Sequence, residues 1–166
     1  LKLVKKQTPE ICLAAVKQNG FALEFVKEQT PEICLAAVKQ DGSALEFVKE
    51  EFQTPEICLA AVKQDGCSIL FVEEQTFEIC LAAVQNDGLA LEYVKKHPPE
   101  ELALMSESAR GKYKAVWALY PSICRVALKQ NAYAINFVNE EYKFLFIQTI
   151  EVPINPIPFT PALELP

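Results

Sequence analysis

Hydrophobic residues along Gln7–Glu28 fall into two blocks separated by a polar turn. The first block, Ile11-Cys12-Leu13-Ala14-Ala15-Val16, would be apolar on nearly every side of a helix. The second holds Leu23, Phe25 and Val26, with Leu23 and Val26 three residues apart. Neither block alternates with period two, so both predict helix rather than strand. The polar stretch Lys17-Gln18-Asn19-Gly20 marks the break between them. A helix that is apolar almost all round must be covered on several sides. A segment this short cannot provide that cover by itself.

The cover comes from repetition. Gln7–Glu28 returns as Gln29–Glu50, Gln53–Glu74 and Gln75–Lys96, a period of 22 residues interrupted once by the insertion Glu51-Phe52. A weaker copy runs Leu119–Glu140, and its Cys124 lies 44 residues after Cys80, two periods on. The interval His97–Ala118 is one unit long and reads as a degenerate repeat. Leu1–Lys6 (LKLVKK) matches the end of a unit, LEFVKE at Leu23–Glu28, so the chain starts in mid-repeat. The expected fold is all-α, a solenoid of about six stacked short helix pairs. An extended, Pro-rich tail follows.

Each unit carries its own start and stop signals. Thr8, Thr30, Thr54 and Thr76 stand at the N-cap of helix A, where a side-chain oxygen takes up a free backbone N–H. Pro9, Pro31 and Pro55 follow at the first helical position, where a missing N–H costs nothing. Glu10, Glu32, Glu56 and Glu78 complement the helix dipole. Asn-Gly or Asp-Gly at 19–20, 41–42, 65–66 and 87–88 ends helix A, with glycine expected as a left-handed cap. A second short helix is expected over Ala22–Glu28 and its copies.

The unit PEICLAAVKQNGFALEFVKE, with its I-C-L-x-A-V-K-Q-[ND]-G core and following A-L-x-[FY]-V, resembles the repeats of domain-of-unknown-function family 4116. The resemblance covers Gln7–Lys96 and, more weakly, Leu119–Glu140. It implies a small helical repeat, of a kind found in large DNA viruses of protists and in intracellular bacteria. It implies no catalytic activity. His97–Ala118 departs from the pattern, as does Ala132 where glycine is expected.

Composition narrows the function classes. The net charge of -6 argues against nucleic acid and against an anionic membrane surface, both of which call for clustered Lys and Arg. No apolar run approaches the roughly 20 residues of a spanning helix, and the N-terminus does not read as a signal peptide. Cys12, Cys34, Cys58, Cys80 and Cys124 share one repeat position, which spaces them along a ladder rather than converging them on a metal. They are expected to be small buried thiols in a reducing compartment, such as the cytoplasm of a cell or host, or a virion. Cys67, after Gly66, is the exposed candidate. His97 is the only histidine, and nothing in the sequence brings a cysteine to it as a catalytic pair. No phosphate loop, nucleophile elbow or metal-spaced cluster occurs, so no catalytic, metal or cofactor site is expected.

Recognition is expected where the units differ. The residue after the turn glycine varies most: Phe21, Ser43, Cys67, Leu89 and Tyr133. These line one edge of a stack, as a recognition edge or a tolerant turn position. Arg110, Lys112, Tyr113, Lys114 and Trp117 form a second candidate, either a contact patch for an acidic partner or a solvated face. The tail Glu151–Pro166 (EVPINPIPFTPALELP) excludes helix through its prolines, yet Ile154, Ile157, Phe159, Leu163 and Leu165 call for burial. It either caps the stack or serves as an assembly arm. Two functions follow as expectations. One is a non-catalytic scaffold that binds a protein partner. The other is a structural subunit of a larger assembly, such as a virion component, anchored by its tail.

Overall fold

The computed structural model describes residues 1–2, 6–95 and 107–147; within 107–147 it describes the side chains of residues 119–140, 142, 143, 145 and 146. Six α-helices alternate with short 3₁₀ segments, and no strand occurs among the described residues. The helices are α1 (Pro9–Gln18), α2 (Pro31–Gln40), α3 (Pro55–Gln64), α4 (Phe77–Asn86), α5 (Glu107–Gln130) and α6 (Glu140–Ile147). Each of α1 to α4 stacks on the next, and the 3₁₀ segments stack in the same order, giving a two-layered solenoid.

The start signals act as the sequence requires. The hydroxyls of Thr8, Thr30, Thr54 and Thr76 accept from the N–H groups of Ile11, Ile33, Ile57 and Ile79 at 3.3–3.4 Å. Proline opens α1, α2 and α3. Helices α2, α3 and α4 each bury Ile, Cys, Ala and Val at i, i+1, i+4 and i+5, as in Ile33, Cys34, Ala37 and Val38. That is the broad stripe expected of a helix with neighbours on more than one side.

The stop differs from the expectation. Helix α1 ends at Asn19 in an extended conformation (φ -150°), and no described glycine has positive φ. The glycines are present for space. A Cβ on Gly20, Gly42, Gly66 or Gly88 would lie 2.5–2.7 Å from the carbonyl oxygen of Ala37, Ala61, Ala83 or Ala127 in the next unit.

The second helix is likewise shifted. It is a six-residue 3₁₀ turn, Gly20–Phe25, repeated at Gly42–Phe47, Gly66–Phe71, Gly88–Tyr93 and Ala132–Phe137. Gly20, Leu23 and Val26 are buried at a spacing of three. A 3₁₀ helix, with three residues per turn, keeps that spacing on one face. The insertion Glu51-Phe52 forms a further 3₁₀ turn, Glu50–Phe52, at the junction between two units.

Unit 75–96 stacks directly on unit 119–140. Helix α4 contacts α5, and Gly88–Tyr93 contacts Ala132–Phe137, as neighbouring units do elsewhere. The expected degenerate repeat His97–Ala118 therefore does not stand between them as a layer. Its first ten residues lie outside the described residues, and Glu107–Ala118 belongs to α5. Tyr120 and Pro121 occupy the positions of Thr76 and Phe77, so the threonine cap is gone and the helix continues upstream, with Pro121 in its interior. Downstream, Tyr142–Ile150, open to helix or strand from its sequence, is helical as far as Ile147.

Candidate partner-binding edge

Every 3₁₀ turn begins in the same way. The side chains of Asn19, Asp41, Asp65, Asp87 and Asn131 accept from the N–H two residues on at 2.9–3.0 Å. Those N–H groups belong to Phe21, Ser43, Cys67, Leu89 and Tyr133, which the turn thereby places along one edge of the stack. Their roles diverge. Phe21 is 40% exposed and meets Phe47 of the next unit edge-on, with ring centroids 5.9 Å apart. Tyr133 is 65% exposed. Ser43 is half-buried and donates to Asp65 Oδ2 at 2.9 Å, and Cys67 lies 3.7 Å from Asp87 Oδ2. Leu89 is half-buried. The row is thus open at its ends and engaged with the following unit at Ser43 and Cys67.

A second row runs beside it. Phe25, Phe47, Phe71, Tyr93 and Phe137 close the 3₁₀ turns, all half-buried. Leu70 is 55% exposed on the same turns, where the other close units carry Glu24, Glu46 and Glu92. The sequence signal for it is the apolar residue that breaks this glutamate column.

What holds the edge rigid is a glutamine not anticipated from the sequence. Gln7 reaches across its own unit: its Nε2 donates to Phe25 O at 2.8 Å, and its Oε1 accepts from Lys27 N at 3.0 Å. Gln29, Gln53 and Gln75 make the same pair of bonds. In unit 119–140 the glutamine position is Leu119, and the Tyr120 hydroxyl takes over. It donates to Phe137 O and accepts from Asn139 N, both at 3.4 Å. Burial is the main reason that the Tyr120 phenol is pushed well above its ordinary range.

The cysteine ladder is part of the core. Cys12, Cys34, Cys58, Cys80 and Cys124 are buried, and no disulfide joins any of the six cysteines. Burial pushes the thiols of Cys34 and Cys58 up to about 11 and that of Cys80 to about 12. Cys67, expected to be exposed, is only partly so. Burial, reinforced by the Asp87 and Asp65 carboxylates, raises its thiol to about 11. Among the described residues no group of His, Cys, Asp and Glu is placed to hold a metal ion, and no helix is long and apolar enough to cross a membrane.

The remaining candidates are not brought to this edge by the described residues. Arg110, Lys112, Tyr113, Lys114 and Trp117 lie on the upstream part of α5, with side chains outside the described set. His97 and the tail residues Ile154, Ile157, Phe159, Leu163 and Leu165 lie outside the described residues.

The family model described as "Domain of unknown function (DUF4116)" matches residues 30–76 and again 54–97. No curated protein and no solved structure matches the chain. The two matches span consecutive units that share the threonine cap, the glutamine bridge and the turn glycine. Over residues 30–97 the chain therefore consists of DUF4116 repeats.

Proposed function

We propose that the chain is a non-catalytic scaffold whose 3₁₀ edge binds a protein partner. One observation carries this reading. Phe21, Leu70 and Tyr133 are large apolar side chains, 40–65% exposed, on turns whose backbone is fixed by repeated side-chain bonds. A rigid edge with exposed aromatic and aliphatic anchors loses little conformational entropy on binding. The half-buried aromatic row beside it extends the apolar contact. The raised thiols stay protonated at neutral pH, which makes them poor nucleophiles and favours a structural role.

The test is selection of displayed peptides against the immobilised chain, followed by binding to a Leu70→Glu, Tyr133→Ser double variant. Selected peptides are expected to lose at least about tenfold in affinity for the variant, the scale of one or two interface anchors. They are expected to bind a Lys39→Ala variant, altered on the exposed face of α2, without change. Equal affinity for all three proteins rules out this edge as the binding surface.

A further inference from the structure

Helices α1 to α4 share a face that the stack leaves open. In α2 it holds Glu32, Leu35, Ala36 and Lys39, at i, i+3, i+4 and i+7, which is one side of an α-helix. Glu32 and Lys39 are exposed and Leu35 and Ala36 half-buried, whereas Ile33, Cys34, Ala37 and Val38 are buried. The same residue types recur as Glu10, Leu13, Ala14 and Lys17 in α1, and as Glu56, Leu59, Ala60 and Lys63 in α3. Helix α4 has Glu78, Leu81 and Ala82, with Gln85 in the lysine place. Stacking turns these positions into columns: glutamate along one margin, leucine and alanine along the middle, lysine along the other. The N–H of each turn glycine donates to the last-turn amide of the next helix and so keeps the helices in register: Gly20 to Gln40 (2.6 Å), Gly42 to Gln64 (2.6 Å), Gly66 to Asn86 (2.9 Å) and Gly88 to Gln130 (2.7 Å). Between α1 and α2 the middle deepens into an open groove of about 470 Å³, lined among others by Leu13, Leu35, Ala36, Lys17, Lys39 and Glu32.

Glutamate at the start of a helix and lysine at its end complement the dipole. That does not account for leucine and alanine on the same outward face, where a solvated helix carries polar residues. Nor does it account for their places. Leu35 and Ala36 stand midway between Glu32 and Lys39, so reversing the helix exchanges glutamate with lysine and leucine with alanine. The face is its own complement in charge and in size. Glu32, Lys39, Glu56 and Lys63 make no ion pair and no side-chain hydrogen bond among the described residues, so their charges are open to a partner.

We propose that this face binds the same face of a second copy of the chain. The two copies are related by a two-fold axis along the stacking direction, so that facing helices run antiparallel. Each glutamate column then meets a lysine column, and each leucine meets an alanine. Such an isologous contact makes every pair twice. Turning the second copy end over end sets glutamate on glutamate and lysine on lysine, so charge selects the arrangement in which both arrays run the same way. Helix α5 bounds the face, with Arg125 in the leucine column and Ser122 in the glutamate column. The contact uses none of Phe21, Leu70 and Tyr133, so it stands or falls separately from the partner-binding edge.

The test is sedimentation velocity over a concentration series, on the full chain and on two charge-reversed variants. One carries Lys39→Glu and Lys63→Glu, the other Glu32→Lys and Glu56→Lys. The unaltered chain is expected to form a reversible dimer that weakens as salt is raised. Each variant alone is expected to associate at least about tenfold more weakly, because symmetry doubles every pair turned from attraction to repulsion. An equimolar mixture of the two variants is expected to recover the dimer, since each then meets opposite charge. Zero-length cross-linking of mixed light and isotope-heavy unaltered chains is expected to join Lys39 to Glu32 and Lys63 to Glu56 of different copies, and it decides the matter if a variant fails to fold. A chain that stays monomeric up to millimolar concentration leaves the face to some other protein and overturns the proposal. So does a dimer that neither variant weakens, a mixture that binds no better than its components, or the absence of those cross-links.

Discussion

Ser68 stands where the other units have Ala22, Ala44, Ala90 and Ala134. It is fully buried, and its hydroxyl has no hydrogen-bond partner. An unsatisfied buried hydroxyl costs about 1–3 kcal/mol, whereas a methyl at the same place costs nothing of the kind. Ser68→Ala is expected to stabilise the chain by about 1 kcal/mol, read as a higher urea midpoint at unchanged m-value. A lower midpoint would mean that the hydroxyl has a use this account misses. The thiols give a pH dependence. The folded pKa values of Cys34, Cys58 and Cys80 are raised to about 11–12, so above the ordinary thiol range the unfolded chain releases protons that the folded chain retains. Their contribution is complete below about pH 9 and is lost as pH rises towards 11–12. Each thiol lowers the folding equilibrium constant by up to about tenfold per pH unit within that window. A Cys58→Ala variant, less stable at neutral pH, is expected to lose stability less steeply between pH 9 and pH 11. Parallel stability profiles would show that Cys58 has no such linkage. At this scale the sequence was legible for caps and core but misleading for glycine. A glycine after asparagine or aspartate fits a left-handed cap equally well. What fixes its role is the Ala37 carbonyl 2.7 Å from where a Cβ would stand, and that contact belongs to another unit.

Helices are set by local signals and 3₁₀ turns by tertiary ones. Helix A follows from threonine, proline and a six-residue apolar block, all visible in sequence. The second element is too short for a stable α-helix and takes the geometry that buries Gly20, Leu23 and Val26 together. The bridge from the start of each unit to its end was hidden because glutamine is ordinarily a surface residue. Its importance shows in the substitution by Tyr120, which reaches the same two backbone groups from the next position along the chain. Tyr120→Phe leaves Phe137 O and Asn139 N without this partner. It is expected to destabilise unit 119–140 by about 1–3 kcal/mol, with exchange of the Asn139 amide accelerated ahead of global unfolding. An unchanged Asn139 exchange rate would remove the hydroxyl from that role. The ring would still rest against Tyr142, at 5.6 Å, so the loss is confined to the polar bridge.

Across the whole molecule, stability in such an array is approximately a sum over units and their interfaces. Among the described residues helix α1 has a neighbouring unit on one side only, and α3 has one on each. Native-state exchange is therefore expected to be faster at Val16 than at Val62 by about tenfold or more, although both side chains are fully buried. Equal protection would mean that the stack opens as one body. The 22-residue period made the architecture readable from the sequence. The order of layers was not, because an interval one period long counts as a unit by arithmetic alone. The bond from Gly88 to Gln130, 42 positions away, shows which faces meet. That bond has a wider consequence. Contact between layers is made mainly by the stacked helices and 3₁₀ turns, to which the junctions add single bonds such as Lys95 Nζ to Glu73 O. Two connectors already depart from the minimum, at Glu50–Phe52 and between Lys95 and Glu107, and the layers on either side still meet in register. Unit junctions are thus the places where an insertion is expected to be tolerated while the spine continues past the interruption.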